Sequence, residues 1–177
     1  GAGDDSVDAG FDDDTIFAGD GADTVLGSEG NDSIEGGAGN DLLFGGFDMA
    51  TTDSTNIPDG TDPLPGNNMD TIYGGDGDDT IYGQDDADLL FGDAGADSSL
   101  GSIDNDTIDG GAGTDTAVFS GVRSGYTVTT VGATTTVTGP DGTDTLTTVE
   151  RLQFSDLTLI VGAGGGQFFV GTAGNDT

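Results

Sequence analysis

Along the first two-thirds of the chain an apolar residue returns every nine positions. The residue before it is Thr, Ser or Leu, and the residue after it is most often Leu or aromatic. Val7, Ile16, Val25, Ile34, Leu43, Ile72, Ile81, Leu90, Ile108 and Ala117 mark this position, and Ser99 is its one polar occupant. Two residues before each stands an Asp: Asp5, Asp14, Asp23, Asp32, Asp41, Asp70, Asp79, Asp88, Asp97, Asp106 and Asp115. The alternation predicts short strands whose marked residue points inward. Ahead of each Asp the chain is rich in Gly, as in Gly36-Gly37-Ala38-Gly39-Asn40-Asp41 and Gly74-Gly75-Asp76-Gly77-Asp78-Asp79. Gly at the second and fourth places allows a tight turn with φ > 0 and no Cβ clash. A turn and a strand in nine residues make half a coil, so two units complete one turn of a solenoid. Asp residues 18 apart then stack along one edge at about 4.8 Å.

The period breaks once inside this region. Asp41 and Asp70 are 29 apart, which is 9 plus 20, and Pro58, Pro63 and Pro65 fall between them. Residues 46–69 therefore read as an exposed loop inserted in one half-coil. On this register one edge carries Asp5, Asp23, Asp41, Asp79, Asp97 and Asp115, with Gly at every fourth position. The other carries Asp14, Asp32, Asp70, Asp88 and Asp106, with fourth positions Asp12, Gly30, Asn68, Asp86 and Asp104. Asp and Asn best tolerate the left-handed geometry that Gly otherwise supplies. The expectation is well-formed sites on the first edge and weaker ones on the second.

Charge narrows the chemistry. There are 34 acidic residues against Arg123 and Arg151, a formal charge of −32, and no Lys, His, Cys or Trp. Only Glu29, Glu35 and Glu150 are Glu. A solvated acidic face has no need of that bias toward Asp, whereas turns that coordinate a hard cation do. With 32% hydrophobic residues and 35 Gly, the chain offers little apolar surface to offset its entropy without such a cation. Nucleic acid is excluded as a partner, since nothing here neutralises phosphates, and no apolar run is long enough for membrane insertion as a helix. With neither His nor Cys, no nucleophile beside an evident base and no phosphate loop, nothing supports an active site in this chain.

The eleven units resemble the glycine-rich nonapeptide G-G-x-G-x-D-x-U-x of the RTX (repeats-in-toxin, haemolysin-type) calcium-binding family over residues 1–118. That resemblance implies an all-β, right-handed parallel β-roll (a β-solenoid) with a C-terminal β-rich cap. It also implies Ca²⁺ as cofactor, held between stacked turns by the eleven Asp residues above. The turn carbonyls of Gly1, Gly3, Gly19, Gly21, Gly37, Gly39, Gly75, Gly77, Gly95, Gly111 and Gly113 supply further oxygens. Adjacent pairs give about five sites on one edge and four on the other, or about nine ions. The family is typically exported through a type I system, so the expected location is secreted or cell-surface, with folding on Ca²⁺ outside the cell.

After Asp115 the period stops. Thr116–Ser120, Tyr126–Val131, Thr134–Thr138 and Arg151–Phe154 read as strands, and residues 119–161 as a cap over the last coil. Gly162–Gln167 reads as a linker, and Gly171–Thr177 as the start of a further repeat within a segment 162–177. Because repeats are cut at both ends, the chain is expected to belong to a larger protein.

Several features carry competing readings. Glu150 and Arg151 read as an ion pair or strand-end charges rather than a catalytic pair. Asp53, Asp59 and Asp62 read as loop polarity. Phe17, Leu26, Phe44, Tyr73, Tyr82, Phe91 and Leu100, at the ninth position, form apolar ladders on the outer faces. These ladders read as packing along the strands, with lateral self-association or docking of a neighbouring domain as the sharper alternative. Thr at the seventh position suggests ice binding, but Leu42 and Leu89 and the aromatic ninth positions spoil a flat polar ladder. For function, a calcium-dependent folding module stands beside a structural segment of an adhesin or surface-layer array and a non-catalytic carrier domain of a secreted hydrolase.

Overall fold

Every half-coil forms a strand where the alternation places one. The computed structural model describes residues 1–46, 69–84, 86–102 and 104–161, with residues 167–171 as backbone. Strands β1 (Ser6–Phe11), β3 (Thr24–Glu29), β5 (Leu42–Phe44), β7 (Thr80–Gln84), β9 (Ser98–Ser102) and β12 (Thr116–Val118) lie side by side in one parallel sheet. Strands β2 (Thr15–Asp20), β4 (Ser33–Ala38), β6 (Thr71–Asp76), β8 (Leu89–Gly95) and β10 (Thr107–Asp109) make the other. The short β11 (Ala112–Gly113) adds to the edge of β8. The chain alternates between the sheets at every turn, which is the parallel β-roll expected from the period.

Register follows the repeat residue by residue. Val7 pairs Val25, Ile34 pairs Ile72, and Ile81 pairs Ser99. The pairing of β4 with β6 passes across the inserted residues without a slip, because a slip of one would turn every inward side chain outward. Residues 47–68, with Asp53, Asp59 and Asp62, lie outside the described residues. The eighth-position side chains stack between the sheets as the core: Val25, Ile34, Leu43, Ile72, Ile81 and Leu90 have no exposed surface. Burying each such side chain stabilises the roll by roughly 1.5–3 kcal/mol. Ser99 also points inward and is buried.

Seventh and ninth positions face out. Tyr73 stacks on Phe91 and Phe44 on Tyr82, with ring centroids 4.7 and 4.9 Å apart, so neighbouring coils are zipped along their outer faces. Phe17 remains 69% exposed at the ninth position.

Parallel pairing does not stop with the period at Asp115. An antiparallel hairpin, β13 (Thr127–Val131) and β14 (Thr134–Gly139), leads into β15 (Gly142–Thr147), which pairs antiparallel with β14 and parallel with β10. Next, β16 (Arg151–Gln153) pairs parallel with β12, and Leu146 and Leu152 extend the buried stack. The roll thus gains one more coil. Two further antiparallel strands, β17 (Leu157–Val161) and β18 (Gln167–Gly171), follow in that sheet. Neither β15, β17 nor β18 stands out as a separate strand in the sequence. Ending each parallel stack in antiparallel strands covers its last unpaired edge. Residues 162–166 and 172–177, which hold most of the expected linker and renewed repeat, lie outside the described residues.

One polar and aromatic knot fastens the hairpin to the roll. Phe119, Tyr126 and Phe154 pack ring to ring at 5.1–5.5 Å. The Arg123 guanidinium sits 5.5 Å from the Phe154 ring centroid and donates to the Tyr126 carbonyl at 2.7 Å. The Tyr126 hydroxyl donates to Asp141, which also accepts from the Ser120 hydroxyl at 2.8 Å.

Candidate metal centre

Turns on both edges superpose their Asp residues into two continuous ladders. On the first, the N–H of Asp5 donates to Oδ1 of Asp23, Asp23 to Asp41, Asp41 to Asp79, Asp79 to Asp97 and Asp97 to Asp115, all at 2.8–3.0 Å. On the second, Asp14 donates to Asp32, Asp32 to Asp70, Asp70 to Asp88 and Asp88 to Asp106, at 2.7–3.0 Å. Apart from Asp5 and Asp14, which begin the ladders, each Asp thus spends one carboxylate oxygen on the backbone of the preceding coil. All eleven sixth-position Asp residues join a ladder.

The second oxygen is what the fold leaves over. Oδ2 of Asp14, Asp23, Asp32, Asp41, Asp70, Asp79, Asp88, Asp97, Asp106 and Asp115 is buried and has no hydrogen-bond partner. Oδ2 of Asp104, at a fourth position, is in the same state. A buried carboxylate oxygen without a donor is costly. Repetition at every turn marks these atoms as donors to something other than protein.

Glycine shapes the space around them. A Cβ on Gly36 would lie 2.5 Å from Oδ2 of Asp41 and 2.6 Å from the Gly74 carbonyl oxygen, so the first position must be bare where carboxylate and next-coil carbonyl converge. At the fourth position, Gly39 and Gly77 have φ of +133° and +146°, and a Cβ on either would run into the carbonyl oxygen of Gly21 or Gly39 one coil back. Asp12, Asp86 and Asp104 hold positive φ at the same place on the second edge, as their side chains tolerate. The carbonyls of Gly1, Gly3, Gly19, Gly21, Gly37, Gly39, Gly77 and Gly95 each face the corresponding glycine of the next coil. Gly75 and Gly111 occupy the second position with φ of +109° and +85°, and Gly113 the fourth.

Electrostatics agrees with the geometry. Burial, ahead of the neighbouring carboxylates, pushes Asp79 and Asp97 up to about 6 and Asp70 and Asp106 up to about 8. Burial also raises Asp88 well above the ordinary carboxylate range, and Asp32, Asp41, Asp104 and Asp115 in the same direction. The hydrogen bond each ladder Asp accepts from the preceding backbone offsets only part of this. Among the described residues no three acidic side chains form a cage for an ion by themselves. A hard cation seated between coils would need oxygens besides the carboxylates, and the turn carbonyls are the ones at hand. An oxygen-only donor set with one free carboxylate atom per turn fits Ca²⁺, which accepts 6–8 oxygens in flexible geometry.

Two ladder members escape the nonapeptide count. The Asp106 N–H donates to Oδ1 of Asp144 at 3.1 Å, and the Asp115 N–H to Oε2 of Glu150 at 2.9 Å. Glu150 therefore ends a ladder, and among the described residues it makes no ion pair with Arg151. Burial pushes Asp144 up to about 7. Asp144 follows Asp115 by 29 residues, the same 9 plus 20 that separates Asp41 from Asp70, so a signal for it existed. Glu150 left none, being neither Asp nor in period.

Fifth positions supply a second, outer ladder that the period alone does not reveal. Oδ1 of Asn40 accepts from the Asp78 N–H at 3.1 Å, and Oδ1 of Asp78 from the Ala96 N–H at 2.9 Å. Asp4, Asp13, Asn31 and Asn105 act alike. Asp or Asn at these places ties each coil to the next in the opposite sense to the inner ladder.

No curated protein matches the chain. The RTX calcium-binding nonapeptide repeat matches it in four copies, at residues 1–25, 17–48, 66–99 and 100–118, which together cover more than half of it. Repeats of that family bind Ca²⁺ and are generally structural rather than catalytic. Stacked Asp turns, the parallel roll and this match agree: the chain belongs to the RTX calcium-binding nonapeptide repeat family.

Proposed function

We propose that this calcium-binding repeat module folds when Ca²⁺ fills its turns, and that it works outside the cell as part of a larger secreted or surface protein. The ligands are Oδ2 of the ladder Asp residues, from Asp5 to Asp115 on one edge and from Asp14 to Asp106 on the other. The turn carbonyls of the second and fourth positions complete each site, and about nine ions are held between successive coils.

One observation carries this reading. Each coil buries a carboxylate oxygen with no protein donor. Stacked about one strand spacing apart, such groups repel each other and oppose the roll unless protons or cations offset them. With a charge of −32, the metal-free chain is expected to stay expanded at neutral pH. Ca²⁺ binds the folded form alone, so its binding free energy becomes folding free energy. Extracellular modules commonly bind at about 10⁻⁴–10⁻³ M, which leaves the switch off at cytosolic calcium. Family members are typically exported, which fits a chain that stays unfolded until it meets calcium. Among the described residues no helix is long and apolar enough to cross a membrane.

Small-angle scattering with and without Ca²⁺ tests the proposal. The radius of gyration is expected to fall from the roughly 45 Å of an unfolded chain of this length to about half that or less. A chain equally compact in chelator at neutral pH would contradict it.

A further inference from the structure

We propose that Ca²⁺ is also held between the turn residues Asp104–Asp106 and the turn 139–144, at a twelfth nonapeptide that the antiparallel hairpin conceals. This rests on the calcium reading of the regular turns. Gly139-Pro140-Asp141-Gly142-Thr143-Asp144-Thr145-Leu146-Thr147 has Gly at the first and fourth places, Asp at the sixth and Leu at the eighth. The family matches end at residue 118 and do not include it. Pro140 replaces the second Gly, and the chain enters this turn from β14 rather than from the opposite sheet.

Its second half nevertheless stacks as a regular turn. Thr145 pairs Thr107 and Leu146 pairs Ile108 in parallel register. Oδ1 of Asp144 accepts the Asp106 N–H, and the Thr143 N–H donates to Oδ1 of Asn105 at 2.9 Å, repeating both ladders. Gly142 has φ of +121° and lies against the Asp104 carbonyl, as Gly39 lies against that of Gly21.

Donors converge from the coil below. Asp106 is 2% exposed, and its Oδ2 is buried with no hydrogen-bond partner. Oδ2 of Asp104 is buried and unpartnered too, and supplies a carboxylate where a regular turn has only a Gly carbonyl. That extra oxygen compensates for the first and second positions, which the hairpin displaces: Gly139 packs against the Tyr126 ring instead. Asp141 is not a ligand here. Both its oxygens are engaged, by the Ser120 hydroxyl at 2.8 Å, the Ser120 N–H at 3.2 Å and the Tyr126 hydroxyl, and it fixes the turn in place. The irregular, all-oxygen donor set suits Ca²⁺ and not Mg²⁺, which demands near-ideal octahedral geometry.

The test uses the full chain at saturating Ca²⁺, where the roll is folded. Equilibrium dialysis is expected to show one ion fewer in Asp144→Asn than in the unmodified chain. Asn keeps the Oδ1 acceptor for Asp106 and removes the charge. Asp79→Asn serves as control and is expected to lose at least its own ion. A loss in Asp79→Asn with an unchanged ion count in Asp144→Asn would overturn the twelfth site alone. If the unmodified chain binds no Ca²⁺, the calcium reading of the whole roll falls with it. Should Asp144→Asn fail to fold, Asp104→Asn decides by the same count, one ion fewer being expected and an unchanged count overturning the site.

Discussion

The Asp32 N–H donates to Oδ1 of Asp70 at 2.7 Å, although 38 residues separate the two. Its counterpart without an insertion, Asp14 to Asp32, spans 18 residues at 2.8 Å. Twenty added residues therefore leave the ladder intact, and on the proposed reading each rung does two jobs: Oδ1 holds the backbone, and the unpartnered Oδ2 is left for the ion. These jobs separate by mutation. Asp79→Asn keeps the bond to the Asp41 N–H and is expected to lose chiefly calcium affinity. Asp79→Ala also orphans that buried N–H, adding about 1–3 kcal/mol of destabilisation. Denaturant unfolding at saturating Ca²⁺ distinguishes the two; equal stabilities would mean that the rung does not hold the coil.

The two edges are expected to differ in calcium affinity. Asp70 and Asp106 on the second edge are pushed up to about 8, against about 6 for Asp79 and Asp97 on the first, so protons compete harder with Ca²⁺ there. Fourth-position Gly on the first edge also leaves its turns unobstructed. Asp97→Asn is expected to cost more overall affinity than Asp88→Asn in calorimetric titration at neutral pH. Equal losses would refute the asymmetry.

Stability should respond to pH in opposite directions with and without metal. All these carboxyls have folded values above the ordinary 3.8, so in the metal-free roll their relative stabilisation is complete below about pH 4. It is lost as pH rises through about 6 for Asp79 and Asp97 and about 8 for Asp70 and Asp106. Calcium needs the ionised form, so the loaded roll weakens on acidification over the same range. Circular dichroism in chelator is expected to gain β signal from pH 8 to pH 4, and in limiting Ca²⁺ to lose it between pH 8 and pH 6.

Glycines at equivalent places should not be equally replaceable. Gly3 has φ of +100°, and a Cβ added there would meet nothing within 4 Å, so Gly3→Ala bears only the backbone strain, about 1–2 kcal/mol. Gly39, with φ of +133°, would also drive its Cβ into the Gly21 carbonyl, and Gly39→Ala is expected to lower the melting temperature in Ca²⁺ markedly further.

Much of this was legible in the sequence because one nine-residue rule fixes strand, turn and register together. Val25, Ile34 and Ile72 are buried where the period places them, and Asp32 meets Asp70 because the 29-residue step from Asp41 resolves into 9 plus 20. What escaped were places where tertiary context replaces the rule. Pro140 and the hairpin disguise the turn that ends in Asp144, and the longer Glu150 side chain reaches Asp115 from a turn out of period. Tyr126 finds Asp141 through a fold-back that no periodicity encodes.

If calcium binding supplies the free energy of folding, the roll should appear only as the ion is added. A Ca²⁺ titration followed by far-UV circular dichroism at neutral pH, with Mg²⁺ as control, decides this. Little β signal is expected in chelator, with a cooperative rise on adding Ca²⁺ and none on adding Mg²⁺. A chain that already shows its full β signal in chelator, unchanged by Ca²⁺, would mean that the roll stands without its ions and that calcium does not drive its folding.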